Sequence, residues 1–487
     1  MNSIKYLKSL ILIFLIIPFG ACKKFVQVDP PTSSITEKNV FDNDLTAAAV
    51  LTGLYSKIGN YFSSNSELLI SKWAGLSADE FDLWAGASDM EKAYYQNALK
   101  TSPGGANGGL SAGVEVWKTS YSFIYQCNQA IIGLTESEKL TPSVKQQLLG
   151  EAKFLRAFFY FYLVNLYGDV PLVTDTYFDV NRKLPRASKD DVYKFIISEL
   201  KDAENLLTAV FLDSDIKTAT TERVRPTKWA ASALLARCYL YINDNTNAES
   251  EATNVINQTS LFSVSSVPVN QVFLKNSNEA IWQLQPATLG RNTSDAQWFV
   301  LSDPPIGFNS TKTTFISTSL YNAFEVGDAR KLNWIGTYSN GTGTYNFPYK
   351  YKKATPNPNI TTPGDLTEYE MILRLAEQYL IRAEARVKQG NLTGAISDLN
   401  VVRQRAGLVL LASTLSQAQI MSALEQENRV EFFSEWGHRW LDLKRWGRAD
   451  AVLGVIKGTN WQTTDQLYPI PIDDILMNPN LSQNSGY

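Results

Sequence analysis

Six charged side chains between positions 427 and 445 follow one another at intervals of four and then three: Glu427, Glu431, Glu435, Arg439, Asp442 and Arg445. Two carboxylates held a few ångströms apart can serve as acid and nucleophile, or acid and base, in glycoside hydrolysis. The same intervals place acids and arginines on one helix face, where they pair. Here arginines are interleaved with the acids. A neighbouring guanidinium keeps a carboxylate ionised and denies it the raised pKa that a general acid needs. The ion-pair network is therefore the stronger reading, and the same holds for Glu377, Arg382 and Glu384. His438 is the single histidine. It leaves little room for a histidine-based triad or metal site, and beside Arg439 it reads as a packed helix-end residue. The three cysteines, Cys22, Cys127 and Cys238, include no CxxC pair. Cys127 and Cys238 fall in helical patterns and read as buried thiols. No catalytic residue, metal ligand or cofactor is expected.

A surface that holds a sugar needs flat aromatic faces together with Asp, Asn or Arg for the hydroxyls. The chain carries 11 Trp, 23 Tyr and 23 Phe, enough to line a core and still furnish such a face. Two segments without helical period hold the right types: Asp79, Glu80 and Trp84 in the first, Arg291 and Trp298 in the second. These five are the candidate ligand-binding residues, because binding side chains gather on loops carried by a rigid scaffold.

The address is written at the N-terminus. Lys5 and Lys8 precede an apolar run, Leu10–Phe19, which is followed by Gly20, Ala21 and Cys22. This is the three-part pattern of a signal peptide. Its apolar stretch is about ten residues, half of the roughly 20 needed to span a bilayer. Two small residues directly before a cysteine resemble a bacterial lipobox, so covalent lipid on Cys22 is expected, anchoring the mature chain without spanning the membrane. Removing residues 1–21 takes away two lysines and no acid, moving the formal net charge from −3 to −5. A weakly acidic chain without a basic stripe argues against nucleic-acid binding.

The elements that must position these residues are mostly helical. From Lys145 to Tyr167, apolar residues recur at spacings of three and four, and from Ala157 onward the segment is apolar nearly all round. That predicts a central helix, stopped by Gly168 with Pro171 beyond. The segments starting at Trp229 and Leu375 resemble each other. Each predicts a helix rich in Ala, Leu and Tyr, a polar turn and a second amphipathic helix, with Ala236 and Ala248 spaced like Ala383 and Ala395. This is the pattern of tetratricopeptide-type hairpins, at 229–257 and 370–405. Residues 22–40 read as a tether, 41–260 and 366–450 as a helical body, 261–365 as a loop-rich insertion of loops and short strands, and 451–487 as a C-terminal tail of the same single domain. A second loop-rich stretch runs from Gly75 to Gly113.

Five stretches, taken in order behind the lipobox, resemble the SusD/RagB family over nearly the whole chain. The first is Gly53-Leu54-Tyr55-Ser56 after Pro30 and Pro31. The second is Glu151–Ala157 running on to Leu166-Tyr167-Gly168-Asp169-Val170-Pro171. The third is Arg374–Ala385 with Leu399–Gly407. The fourth comprises Glu427-Asn428-Arg429, Gly437-His438-Arg439 and Asp442–Gly447. The fifth is Tyr468-Pro469-Ile470-Pro471 with the ending Gln483–Tyr487. Asn428 stands where arginine is usual. The resemblance implies a mainly α fold: four tetratricopeptide-like helix pairs in an α-α superhelix, with an irregular loop-rich part facing the ligand. It implies a non-enzymatic lipoprotein of the outer membrane, facing the exterior. Such a protein captures a nutrient, most often a glycan and in some relatives a peptide, for a SusC-like TonB-dependent transporter. A lipid-anchored glycoside hydrolase and a repeat scaffold for protein or peptide are the alternatives.

Overall fold

Eight of the helices among the described residues make the body, each packed on the next in chain order: α1 (Glu115–Glu136), α2 (Pro142–Tyr167), α3 (Lys189–Leu206), α4 (Lys228–Tyr241), α5 (Asn245–Ile256), α6 (Leu375–Lys388), α7 (Leu392–Arg405) and α8 (Gln417–Glu431). The structure, a computed structural model, describes residues 40–487 except 65–68, 104–110, 289, 306–311 and 342. The signal peptide, the tether and Cys22 lie outside the described residues. Phe41–Tyr487 forms one compact unit.

Local chemistry sets the helix ends. Pro142 takes the first turn of α2, where its missing N–H costs nothing, and Gly168 ends the helix at φ +74°. Ser188, Asp244, Asn391 and Ser416 cap α3, α5, α7 and α8 through their side chains. Every residue from Ala157 to Tyr167 is buried, so α2 is the central helix its composition predicts. Phe158 meets Trp282 and Trp436 edge-on at 5.4 and 5.6 Å. The two expected hairpins are α4/α5 and α6/α7. Ala236, Ala248, Ala383 and Ala395 are all fully buried, and the hairpins face each other across α5 and α6. Arg237 forks onto Glu377, and Arg386 joins Glu249 to Asp398.

Among the described residues, strands form three antiparallel pairs: β1 (Phe81–Leu83) with β3 (Thr314–Ile316), β2 (Ala280–Leu284) with β6 (Glu370–Arg374), and β4 (Ile335–Asn340) with β5 (Gly343–Pro348). The β6 strand corrects the expected start of the second hairpin. Glu370–Arg374 is extended and buried throughout, and the helix begins at Leu375. A short apolar run covered on both faces satisfies its backbone by pairing with β2, and periodicity alone cannot separate such a run from a helix start. The insertion also holds short helices at Ser294–Phe299, Thr318–Ala323 and Ala329–Trp334. The C-terminal segment folds back on the body: Tyr468 and Ile470 are buried, and the Tyr468 N–H donates to the Leu166 carbonyl at 2.7 Å.

Cys127 and Cys238 are free and buried, and burial pushes the Cys127 thiol up to about 12. His438 is packed as expected. It opens the helix His438–Arg445 and stacks on Phe432 at 4.6 Å. Burial, and then the cations around it, hold the imidazole well below its usual range.

Candidate ligand-binding site

Asp79 and Glu80 follow the helix Ile70–Ser77 and lead into β1. Both are buried, at 4% and 2% exposure. Asp79 accepts from Arg439 Nε at 2.7 Å and from Arg429 Nη2 at 2.8 Å. Burial alone would raise its carboxyl, but the hydrogen bond and charge of Arg439, with Arg429, outweigh that and hold it low. Glu80 accepts the Ser434 N–H at 3.1 Å. Burial, followed by the charge of Asp79, pushes it up to about 8. Neither carboxylate faces outward. The two fasten the loop before Trp84 to α8 and the region that follows it, which corrects their reading as ligand contacts: Asp79 is held by two arginines and Glu80 is buried against a backbone N–H, so neither has a free face for a hydroxyl.

Trp84, Trp298 and Arg291 remain at the surface, the two tryptophans half-buried and Arg291 exposed. Trp298 rides on Ser294–Phe299, capped by Thr293. Arg291 donates to Gln297 on the same turn of chain at 2.9 Å. Trp84 leaves β1 with its N–H on the Thr313 carbonyl at 3.0 Å. The two tryptophans belong to one connected set through residues that sequence reasoning did not single out. Thr313 Oγ1 donates to Glu91 Oε1 at 2.5 Å. Lys72 Nζ donates to the same oxygen at 2.8 Å and lies 4.7 Å from the centre of the Trp298 ring. Burial would raise the Glu91 carboxyl, but Lys72, Thr313 and Ser88 together leave it below its ordinary value. A buried ion pair under an indole face fixes that face, because the cation is attracted to the ring. Glu91 was findable: Ser88-Asp89-Met90-Glu91 is a capping-box spacing, and both of its reciprocal bonds form. Lys72 and Thr313 are distant in sequence, and nothing local marks them.

Further aromatic surface adjoins this set. Phe315 on β3 meets Tyr345 on β5 at 5.4 Å, and Tyr345 lies opposite Tyr338 on β4. All three are half-buried.

The acids of 427–445 are structural, as their interleaving with arginine predicts. Arg374 reaches Glu279 and Glu435 at 2.8 Å each and also Glu431. Arg330 binds Asp328 and Glu431 at 2.8 and 2.7 Å. Glu431 is held well below the usual carboxylate range: burial opposes this, but Arg405, Arg374 and Arg330 overcome it. Glu427 and Asp442 run the other way: burial raises both, Glu427 despite Arg330 and Asp442, to about 6, despite Arg445. The cavity beside Asp442 is about 10 Å³, space for one water and not for a sugar ring.

Two family models match the chain: the SusD family over residues 308–487, and a family described as starch-binding, associating with the outer membrane, over residues 37–240. A SusD-like protein of Formosa agariphila is 24% identical over 545 aligned residues, covering 98% of this chain and 99% of its own. Among solved structures, a SusD superfamily protein from Bacteroides vulgatus matches with a TM-score of 0.74 at 20% identity, covering 91% of this chain and 99% of that one. The surface glycan-binding protein A of Bacteroides fluxus matches at 0.70 and 22%, again covering 91% and 99%. Both family models, the full-length relative and the solved folds agree: over nearly its whole length the chain is similar to the SusD/RagB family.

Proposed function

We propose that this protein captures a glycan, an oligosaccharide or polysaccharide, at the cell surface and delivers it to a SusC-like TonB-dependent outer-membrane transporter. The observation that carries this reading is the pair of half-buried tryptophans, Trp84 just past β1 and Trp298 on the short helix Ser294–Phe299, set around the Lys72–Glu91–Thr313 node and backed by the helical body. Indole faces offer C–H contacts to a sugar ring, and Arg291 and nearby hydroxyls offer polar ones. The relative from Bacteroides fluxus is itself a surface glycan-binding protein, and one matching family is starch-binding and associates with the outer membrane.

The action is binding without turnover. The acids that could have formed a hydrolytic pair are spent on arginines, and the raised Asp442 has no room beside it for a substrate. A hydrolase would show itself by products released from the bound glycan. Among the described residues no helix is long and apolar enough to cross a membrane. The proposed attachment is covalent lipid at Cys22, which follows Gly20 and Ala21 behind the apolar run. Mass spectrometry of the mature membrane-bound protein is expected to find Cys22 acylated, and Cys22→Ala to release or strand the chain. An unmodified Cys22 in membrane-bound protein would refute the anchor.

Calorimetry against a glycan panel tests the site. One shallow platform binds with a Kd of about 1 µM to 1 mM, or roughly −8 to −4 kcal/mol, weak enough for release into a transporter. Trp84→Ala and Trp298→Ala are each expected to remove on the order of 1–3 kcal/mol of binding, by analogy with bases stacked on aromatic rings, with melting temperatures nearly unchanged. A ligand bound equally well by both variants would move the site elsewhere.

A further inference from the structure

A separate cavity of about 760 Å³, open to solvent, lies where the end of α2, the start of α3 and the end of the His438–Arg445 helix meet the C-terminal segment. It shares no lining residue with the surface that carries Trp84 and Trp298. Its volume falls in the range that holds small ligands. Besides Arg445, three cations line it: Arg186, Lys189 and Lys444. Among the described residues none of the three has an ion-pair partner. Arg445 also lines the cavity, but Glu384 and Asp442 neutralise it. Asp169 is the one carboxylate among the described lining residues, and its Oδ1 accepts the backbone N–H of Lys189 at 2.8 Å.

Two of the unpaired charges are held in place. Arg186 spends its N–H groups on the carbonyls of Asp169 and Ser482, at 2.7 and 3.0 Å, and on the Asn484 side chain. Those bonds fix the guanidinium without cancelling its charge. Lys444 Nζ donates to the Asn165 carbonyl, which leaves further N–H groups for a ligand. Burial, then the charge of Lys189, brings its ammonium down to about 7. The hydroxyls of Thr464 and Ser485 add neutral donors at the rim. Three unpaired cations against one carboxylate, in a walled cavity with donors, select negative charge.

We propose that this cavity binds an oxyanion, a carboxylate or sulfate group, either free or carried on a sugar. The site is independent of the aromatic surface, so either can fail without the other. The test is calorimetry of the full chain at pH 7 and constant ionic strength, with sodium sulfate, sodium glucuronate and neutral glucose as probes. Saturable binding of at least one anion is expected, with a Kd of about 10 mM or tighter, and none of glucose. Lys189→Ala and Lys444→Gln are each expected to weaken it by about tenfold or more, while Trp84→Ala leaves it unchanged. Binding should also take up protons in the parent chain, since the anion favours charged Lys444, and this uptake should vanish in Lys444→Gln. Glucuronate bound without sulfate assigns a sugar acid; sulfate bound without glucuronate assigns a sulfate group. Absence of saturable anion binding, glucose bound as well as the anions, or Lys189→Ala binding like the parent would overturn the proposal. The Lys189 side chain is exposed and makes no ion pair, so that variant decides the matter even if Lys444→Gln fails to fold.

Discussion

Glu80 and Trp84 stand four positions apart, and their surroundings give them opposite work. Glu80 is sealed under the Ser434 N–H, and burial pushes its carboxyl up to about 8; Trp84 emerges past β1 half-buried. The raised Glu80 has a consequence for stability. Below its ordinary value, 4.5, the carboxyl is protonated in both folded and unfolded chains and its full contribution is present. As pH rises from about 4.5 to about 8, the unfolded chain gives up the proton while the folded chain keeps it, so stability falls. Asp295, pushed up to about 8 chiefly by burial, acts in the same sense. Glu384 and Glu431 act oppositely: arginine holds them low, so their contribution is present above about 4.5 and is lost on acidification. Glu80→Gln keeps an acceptor for Ser434 and removes the titration. Its unfolding free energy should therefore decline less than the parent's between pH 5 and 8, by an amount on the order of a few kcal/mol. Denaturant melts across that range check it, and parallel slopes would mean that Glu80 is not buried as a neutral acid. Local sequence showed Asp79 and Glu80 as polar residues beside a Trp in an aperiodic stretch. Their burial is decided by Arg439 and Ser434, more than 350 positions away, which no local pattern can report. Trp84 and Trp298 stay half-buried, whereas Trp282 and Trp334, from the same aperiodic stretch as Trp298, are core, a difference that packing decides and local composition does not.

At the scale of elements, periodicity spoke most clearly where a helix is long and its apolar side is continuous. α2, α4, α5, α6 and α7 all occur where spacing places them. The short elements were illegible because their reason for existing is tertiary: β6 is extended only because β2 lies beside it, with Leu284 opposite Glu370 and Ala280 opposite Arg374. The alanines of the two hairpins show what the helical body demands. Ala383 has no exposed surface, and α6 is packed between α5 and α7. Interiors of this kind have few voids larger than a water molecule. Ala383→Trp has to displace a neighbouring helix or take a strained rotamer, at a cost of about 1–3 kcal/mol or more. A thermal melt reads this directly. An unchanged melting temperature would show that the helices are not closely apposed there, against the buried Ala236, Ala248 and Ala395 that share the pattern.

For the molecule as a whole, the C-terminal segment is what ties the two ends of the helical body together. Tyr468 packs edge-on to Tyr94 and Tyr167, at 5.5 and 6.0 Å, and stacks on Trp440 at 6.0 Å. Its hydroxyl shares a hydrogen bond with Ser77 at 3.0 Å. Asn484 then closes the turn, its Nδ2 donating to the carbonyls of Tyr167 and Tyr468 at 2.9 and 2.7 Å. The segment thus joins the helix before β1, the end of α2 and the His438–Arg445 helix, which are remote in sequence. Its run of prolines and polar residues reads as a tail, yet the buried tyrosine makes it part of the core. A chain ending after Gln466 loses the burial of Tyr468 and Ile470, about 1.5–3 kcal/mol for each large side chain. It also exposes the faces of Tyr94, Tyr167 and Trp440 and leaves the Tyr167 carbonyl without Asn484. Together these come to roughly 5 kcal/mol or more, a large share of the ~5–15 kcal/mol that holds a typical protein folded. The truncated chain is expected to melt well below the full one and to be cut by protease within α2 and the Ile70–Ser77 helix, which the full chain protects. Full-length melting behaviour and the same protease resistance after truncation would show that the helical body stands without its C-terminal clasp.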